Sequence, residues 1–308
     1  GFILSNALSI DGHTRNLYLE AVDVLLDNPA LPISITSNDY SGYPNIKRTM
    51  IKMLCARRIL DKVLKNLMLE ELLAAKHLNE FLRDESPVMT LIRNIISESN
   101  QTELTINDPI QKFRQAFRAD VTSRCKNDGK KYAKSEKHRH EIVLANVNAV
   151  LSFLRKQLDI GFPFELVAIL KALKKAVFGH LPKEDVSKFI GSILFLRLIN
   201  PELINISIGH DKPHLKMVAV ALQCISNKSD PAEKFTELLP IINDLRRLQI
   251  DVVDLLERIA ASDAVTIPDE LLLESASFYR FISLNFANLT AVSALQKRLG
   301  VVPAANVN

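Results

Sequence analysis

NIKRTMIKMLCARRILDKVLKNLMLEELLAAKHLNEFL, residues 45–82, decides the fold class. Met50, Met53, Leu54, Ile59, Leu60, Val63, Leu64, Leu67 and Leu69 recur at helical spacing, with no Pro or Gly between them. Apolar side chains three and four apart fall on one face of a helix and need a partner surface. The stretch predicts one long helix from Asn45 to Leu82. Composition agrees: hydrophobic residues make up 47% of 308, Gly numbers only 9 and Trp is absent. Helix formers dominate, so the expected class is all-α.

Working outward, the N-terminal flank reads as a helix around Leu17 to Leu26, then a Pro, Ser and Asn-rich loop ending near Pro44. On the other side, Ser86-Pro87 supplies an N-cap and a first helical residue, so a new helix should run from Pro87 to about Ser97. Asp108-Pro109 repeats that start signal. A polar, basic connector from about Arg124 to Arg139 leads to a helix from Glu141 to Leu158, and Pro163 opens the next. Val186 to Ile199 reads as a helix ended by Pro201. Further helices are expected over Lys212 to Ser226, Pro231 to Leu248, Asp251 to Ala261 and Pro268 to Leu289, before a frayed tail.

The formal charge of +4 is too mild to argue for nucleic acid. Within the connector, Arg124, Lys126, Lys130, Lys131, Lys134, Lys137 and Arg139 read as a solvated loop, or as a patch for a membrane surface or acidic partner. Cys55, Cys125 and Cys224 are odd in number and far apart, which fits buried or free thiols in a reducing compartment. One thiol at 125 with His138 and His140 fits no zinc spacing, so no metal site is expected. No apolar run approaches the roughly 18 residues of a membrane span, so a soluble, cytoplasmic chain is expected. Gly-rich phosphate loops, Gly-x-Ser-x-Gly and His-Glu-x-x-His are all missing from the sequence. With no self-contained catalytic motif, the chain reads as one that acts on another protein.

Two segments carry a family resemblance. Gly191-Ser192-Ile193-Leu194-Phe195-Leu196-Arg197-Leu198-Ile199-Asn200-Pro201-Glu202-Leu203-Ile204 resembles the Phe-Leu-Arg-x-x-x-Pro signature of RasGAP domains. Phe162-Pro163-Phe164, Leu181-Pro182 and Leu222-Gln223 with Ser226-Asn227 agree with its surroundings. Phe81-Leu82-Arg83-Asp84-Glu85-Ser86-Pro87 resembles the family's finger loop, and Arg83 precedes Arg197 by 114 positions, about the family's separation. Thr105-Ile106-Asn107-Asp108-Pro109-Ile110 is similar to the IQGAP-related branch, which scaffolds Rho-type GTPases at the actin cortex and often lacks the finger arginine.

The resemblance covers roughly Asn45 to Leu289. It implies an elongated RasGAP-like helical domain over 45–290, preceded by a helical extension and loop (1–44) and followed by a tail (291–308). It implies a Ras- or Rac/Cdc42-type GTPase as partner, with cytoskeletal proteins as further partners and recruitment to the cortex or membrane. GTP and Mg²⁺ would be carried by the partner, with no cofactor of the chain's own. Arg83 would be the arginine finger supplied in trans, a cation worth about 10³ to 10⁵ in rate because it offsets charge on the transferring phosphoryl. Arginine suits the task through its permanent charge and rigid fork of donors. Arg197, Ser86, Asn200 and Pro201 would support the finger loop, and Phe195, Leu196 and Lys171 would line the GTPase-binding groove. Read from the residues alone, Phe195, Leu196 and Leu198 are core, Arg83 is an ordinary cation after a helix, and Arg197 a snorkelling arginine. Val167 and Val220 depart from the family, which places an arginine and a lysine there. The departures leave open a GTPase activator and a binding module or scaffold without catalysis, and a helical scaffold with no GTPase partner is a third reading.

Overall fold

The computed structural model describes residues 31–37, 46–56, 59–83, 85–97, 109–125, 135–209, 214–231, 233–262, 281 and 284–285. Among these there is no β-strand, and the fold is all-α. Two compact units form, one from residues 1–101 with 266–308 and the other from 102–265.

In the first unit, helices α1 (Leu31–Ser37), α2 (Ile46–Ala56), α3 (Leu60–Ala74) and α4 (Pro87–Ser97) pack in the pairs α1–α2, α2–α3, α3–α4 and α1–α4. Helix α4 buries Val88, Met89, Leu91, Ile92, Ile95 and Ile96, the apolar stripe its sequence shows. Two expectations fail here. The Pro, Ser and Asn-rich flank holds a helix, α1, inside its supposed loop. The long helix is two, and it stops eight residues early, at Ala74. At the first break the Ile59 N–H reaches Leu54 O at 3.0 Å, five residues back, so the regular ladder is lost. At the second, Ala75 turns extended (φ −67°, ψ 129°) and the Glu80 carboxylate accepts the Lys76 N–H at 3.0 Å. Side chains that satisfy backbone donors locally compete with helix continuation. A single 3₁₀ turn, Leu78–Glu80, follows.

In the second unit, α5 (Pro109–Arg124), α6 (Glu136–Ile160), α7 (Phe164–Val177) and α8 (Lys183–Gly191) lead into a π-helical stretch, Ser192–Ile199, and on into α9 (Asn200–Gly209). Helix α10 (His214–Asn227), a 3₁₀ stretch (Glu233–Ile241) and α11 (Ile242–Ala261) complete it. Helix α10 is the central element, packed by α6, α8, the π stretch, α9 and α11. Phe113 and Phe117 of α5 meet Phe153 of α6 edge to face, with centroids 5.6 and 5.3 Å apart, a favoured aromatic geometry. Gly191 marks a tight crossing: a Cβ there would lie 2.6 Å from Ser226 Cβ and 3.3 Å from Leu256 Cδ1.

Boundaries moved for local reasons. Helix α6 starts at Glu136, not Glu141, because Ser135 caps it by accepting the His138 N–H (3.3 Å), and it closes at Gly161 (φ 104°). Residues 251–261 do not form a separate helix, since nothing from Ile242 to Ala261 breaks the ladder. Pro240 instead confines the preceding stretch to 3₁₀ turns. Pro201 does not end its helix. Its ring would crowd the carbonyl four residues back, and the widened π turn before it gives room, with the Asn200 N–H bonding Phe195 O. The continuous run Asp185–Ile208 is long and apolar enough to cross a membrane by length and composition, contrary to the sequence reading, although 61% of its apolar 18-residue window is buried within the fold. The expected elements at Leu17–Leu26, most of Pro268–Leu289, the tail 291–308 and the connector lysines from Lys126 to Lys134 lie outside the described residues, as do Thr105 to Asp108 and the Cys55 side chain. Cys125 and Cys224 are buried, free thiols. Cys125 Sγ donates to Asn146 Oδ1 at 2.8 Å.

Continuation through Pro201 turns Glu202 inward. Its side chain is buried and pairs with Arg114 (3.3 Å), also buried, and with the half-exposed Arg118, joining α9 to α5. The Glu202 carboxylate raises the Arg118 pKa above its ordinary value by hydrogen bonding. Removing one member of a buried ion pair leaves the other charge in a poorly solvated place. Glu202→Ala should therefore lower unfolding free energy by about 3–5 kcal/mol, and Arg118→Ala by no more than about 1 kcal/mol. Urea titrations of both variants test the ordering.

Candidate functional site

The segment from Ala75 to Ser86 carries the exposed cation of interest, and its geometry starts with what is buried. Phe81 and Leu82 are both in the core of the first unit. Leu82 takes the left-handed conformation (φ 53°), which costs a non-glycine residue on the order of 1–2 kcal/mol. That cost is offset in place: the Leu82 N–H donates to Glu71 Oε1 at 2.7 Å. Glu71 is largely buried at the end of α3, and the Ser86 hydroxyl and Val88 N–H also approach its carboxylate. Burial pushes the Glu71 pKa above its ordinary value, and the three donors, Leu82, Ser86 and Val88, pull against that rise.

The far side of the loop is fixed by Ser86. Its Oγ accepts the Met89 N–H (2.9 Å), its carbonyl accepts the Thr90 N–H (2.9 Å), and its own N–H donates to Arg83 O (3.0 Å). Pro87 sits at the first position of α4, where a missing N–H costs nothing. The backbone is thus held on both sides of Arg83 while its side chain, 61% exposed, points to solvent. Glu85 Oε2 lies 3.9 Å from Arg83 Nε, a solvated pair worth little. The expectation that Arg83 sits on an interhelical loop and that Ser86 caps the next helix describes this loop correctly. Asp84 lies outside the described residues.

The other expected site residues belong to the second unit. Arg197 is half-buried in the π stretch, and burial lowers its guanidinium pKa from the ordinary value. Phe195 is fully buried, as is Leu198, so Phe195 packs the core and lines no groove. Leu196 is half-buried beside Arg197. Asn200 is buried and donates through Nδ2 to Ala219 O (3.1 Å), tying α9 to α10. Pro201 is exposed. Lys171 is half-buried on α7, Val167 is buried on the same helix, and Val220 is half-buried on α10. The unexpected member is Glu71. One of two adjacent glutamates in an amphipathic helix, it carries no motif, and only its place near the end of α3 makes it the clamp of the loop.

The chain matches no protein-family model and no curated protein.

Among the described residues no group of three or more His, Cys, Asp or Glu side chains gathers to hold a metal. What the loop offers is a solvent-facing guanidinium on a backbone held by buried groups at Leu82 and Ser86. Glu71→Ala would strand the Leu82 N–H, at a cost of about 1–3 kcal/mol, and amide exchange at 82–86 should quicken. Glu71→Gln keeps an acceptor but does not titrate. Because the folded-state pKa of Glu71 is raised, the protonated carboxyl favours the fold, and that advantage fades as pH rises through the raised value. The stability of wild type relative to Glu71→Gln should therefore fall between about pH 4 and about pH 7. Denaturant melts of the two proteins at both pH values check the sign.

Proposed function

We propose that this chain binds a GTP-loaded Ras-superfamily GTPase and accelerates its hydrolysis of GTP with Arg83 supplied in trans. The observation that carries the reading is the Arg83 loop: an exposed guanidinium on a backbone already held by Glu71 and Ser86. Such preorganisation matters because a cation acting on a transferring phosphoryl is effective only if it is placed without further ordering. The similarity of residues 81–87 and 191–204 to the RasGAP signatures supports the choice of substrate. GTP and Mg²⁺ belong to the partner, and the action would take place in the cytoplasm or at the cell cortex.

A second reading is favoured by Val167 and Val220. Neither offers a polar group, and Val167 is buried in the core of its unit. A surface lacking those two cations would suit a scaffold that holds Rac- or Cdc42-type GTPases, with actin-associated partners, and leaves hydrolysis unchanged.

Arg83→Ala separates the two. A finger acts chiefly as charge builds in the transition state, so stimulated hydrolysis should drop at least about a hundredfold. Affinity for the GTP-loaded partner should change less than about tenfold, or roughly 1.4 kcal/mol. Arg83→Lys should not restore the rate, because an ammonium lacks the planar fork. Phosphate release and equilibrium binding, measured over a panel of Ras- and Rho-type GTPases, provide both quantities. Equal rates for wild type and Arg83→Ala, with binding retained, would establish the scaffold.

A further inference from the structure

Helix α7 ends on a surface that the GTPase reading does not use. From Lys171 to His180 the sequence is KALKKAVFGH, and no acidic residue occurs between Glu165 and Glu184. Lys174 and Lys175 lie four and three positions before Phe178, so the three share one face of the helix and its end. Lys174 and Lys175 are exposed, and Phe178 is 81% exposed, the most of any large apolar side chain described. Gly179 follows with φ 78° and open space where a Cβ would sit, then His180, also exposed. Asp185, on the next helix, is engaged by Lys188 at 2.9 Å. The second unit therefore presents an aromatic ring at a helix end, flanked by lysine ammoniums.

We propose that this helix end docks on an anionic lipid surface. The chemistry fits in two parts. Lysines near a surface of negative headgroups are attracted within about a Debye length. An aromatic ring that the fold leaves 81% exposed gains by entering the boundary between headgroups and acyl chains. An acidic protein would attract the lysines but would also need an apolar pocket for Phe178, whereas a bilayer supplies both surfaces at once. The proposal goes beyond the GTPase reading and does not rest on it.

The test uses the full 308-residue chain and sedimentation with vesicles, without any GTPase. Vesicles of phosphatidylcholine with phosphatidylserine should carry the protein down, and vesicles of phosphatidylcholine alone should not. Raising salt from about 0.1 M to about 0.5 M should weaken the binding, as screening requires. Phe178→Ser and Lys174→Glu, both at exposed positions, should stay folded and each lose about tenfold in partition. Equal sedimentation with the two vesicle types would overturn the proposal. So would full binding by both variants, which would place the lipid contact elsewhere, or loss of binding by the lysine variant alone, which would mark a purely ionic patch fit for an acidic protein.

Discussion

A missing N–H at Pro201, in the middle of a helix that must continue, constrains most of the second unit. The chain meets it by opening Ser192–Ile199 into a π-helical turn, and regular helix resumes at Asn200. Everything beyond depends on that resumption. Asn200 reaches the backbone of α10, and Glu202 turns into the space where Arg114 and Arg118 supply its counter-charges. Gly191, just ahead of the turn, lets α8 approach α10 closely enough that no larger residue fits without displacement. Local widening and close approach thus alternate within a dozen residues. The buried ion cluster holds α9 to α5 only because the widened turn delivers Glu202 to the interior.

The Arg83 loop obeys a different rule, in which the exposed group is placed by buried ones. Phe81 and Leu82 anchor it, Leu82 adopts a conformation that few leucines tolerate, and Glu71 accepts the N–H which that conformation aims inward. A carboxylate buried for this purpose is itself raised in pKa, so the loop's hold on Arg83 depends on a group with its own energetic cost. Strain of this kind persists where the surroundings over-determine it, and it concentrates at working sites.

Much of this was legible in the letters, and the failures are instructive. Helical class followed from periodicity alone, and Ser86-Pro87 and Pro109 marked true starts because capping chemistry is local. Arg83 fell on a loop for the same reason. Breaks set by side chains reaching back to the backbone were not legible: Glu80 ending α3 and Ser135 extending α6 look like ordinary polar residues. Pro201 misled because a rule about helix interiors holds for α-turns, and the chain avoided it with a wider one. Glu71 could not be found from sequence, since its role arises from a neighbour eleven positions away adopting positive φ. Phe195 shows the converse: the residue type that marks the signature is spent on the core, while the half-buried Leu196 and Arg197 beside it are the side chains that reach its edge.

The π turn also makes chain length, and not only residue identity, matter to this fold. A π turn holds one residue more than the α-turn it replaces. Loss of any single residue between Ser192 and Ile199 would let the segment close as ordinary helix, with hydrogen bonding improved and composition almost unchanged. A π turn and the α-turn that replaces it each close one full circle, so Glu202 would keep nearly its present facing toward Arg114. The Pro201 ring would instead meet the carbonyl it now avoids. Substitutions in this stretch can be judged one side chain at a time, but a deletion removes the slack that Pro201 needs, and no substitution within the turn can restore it.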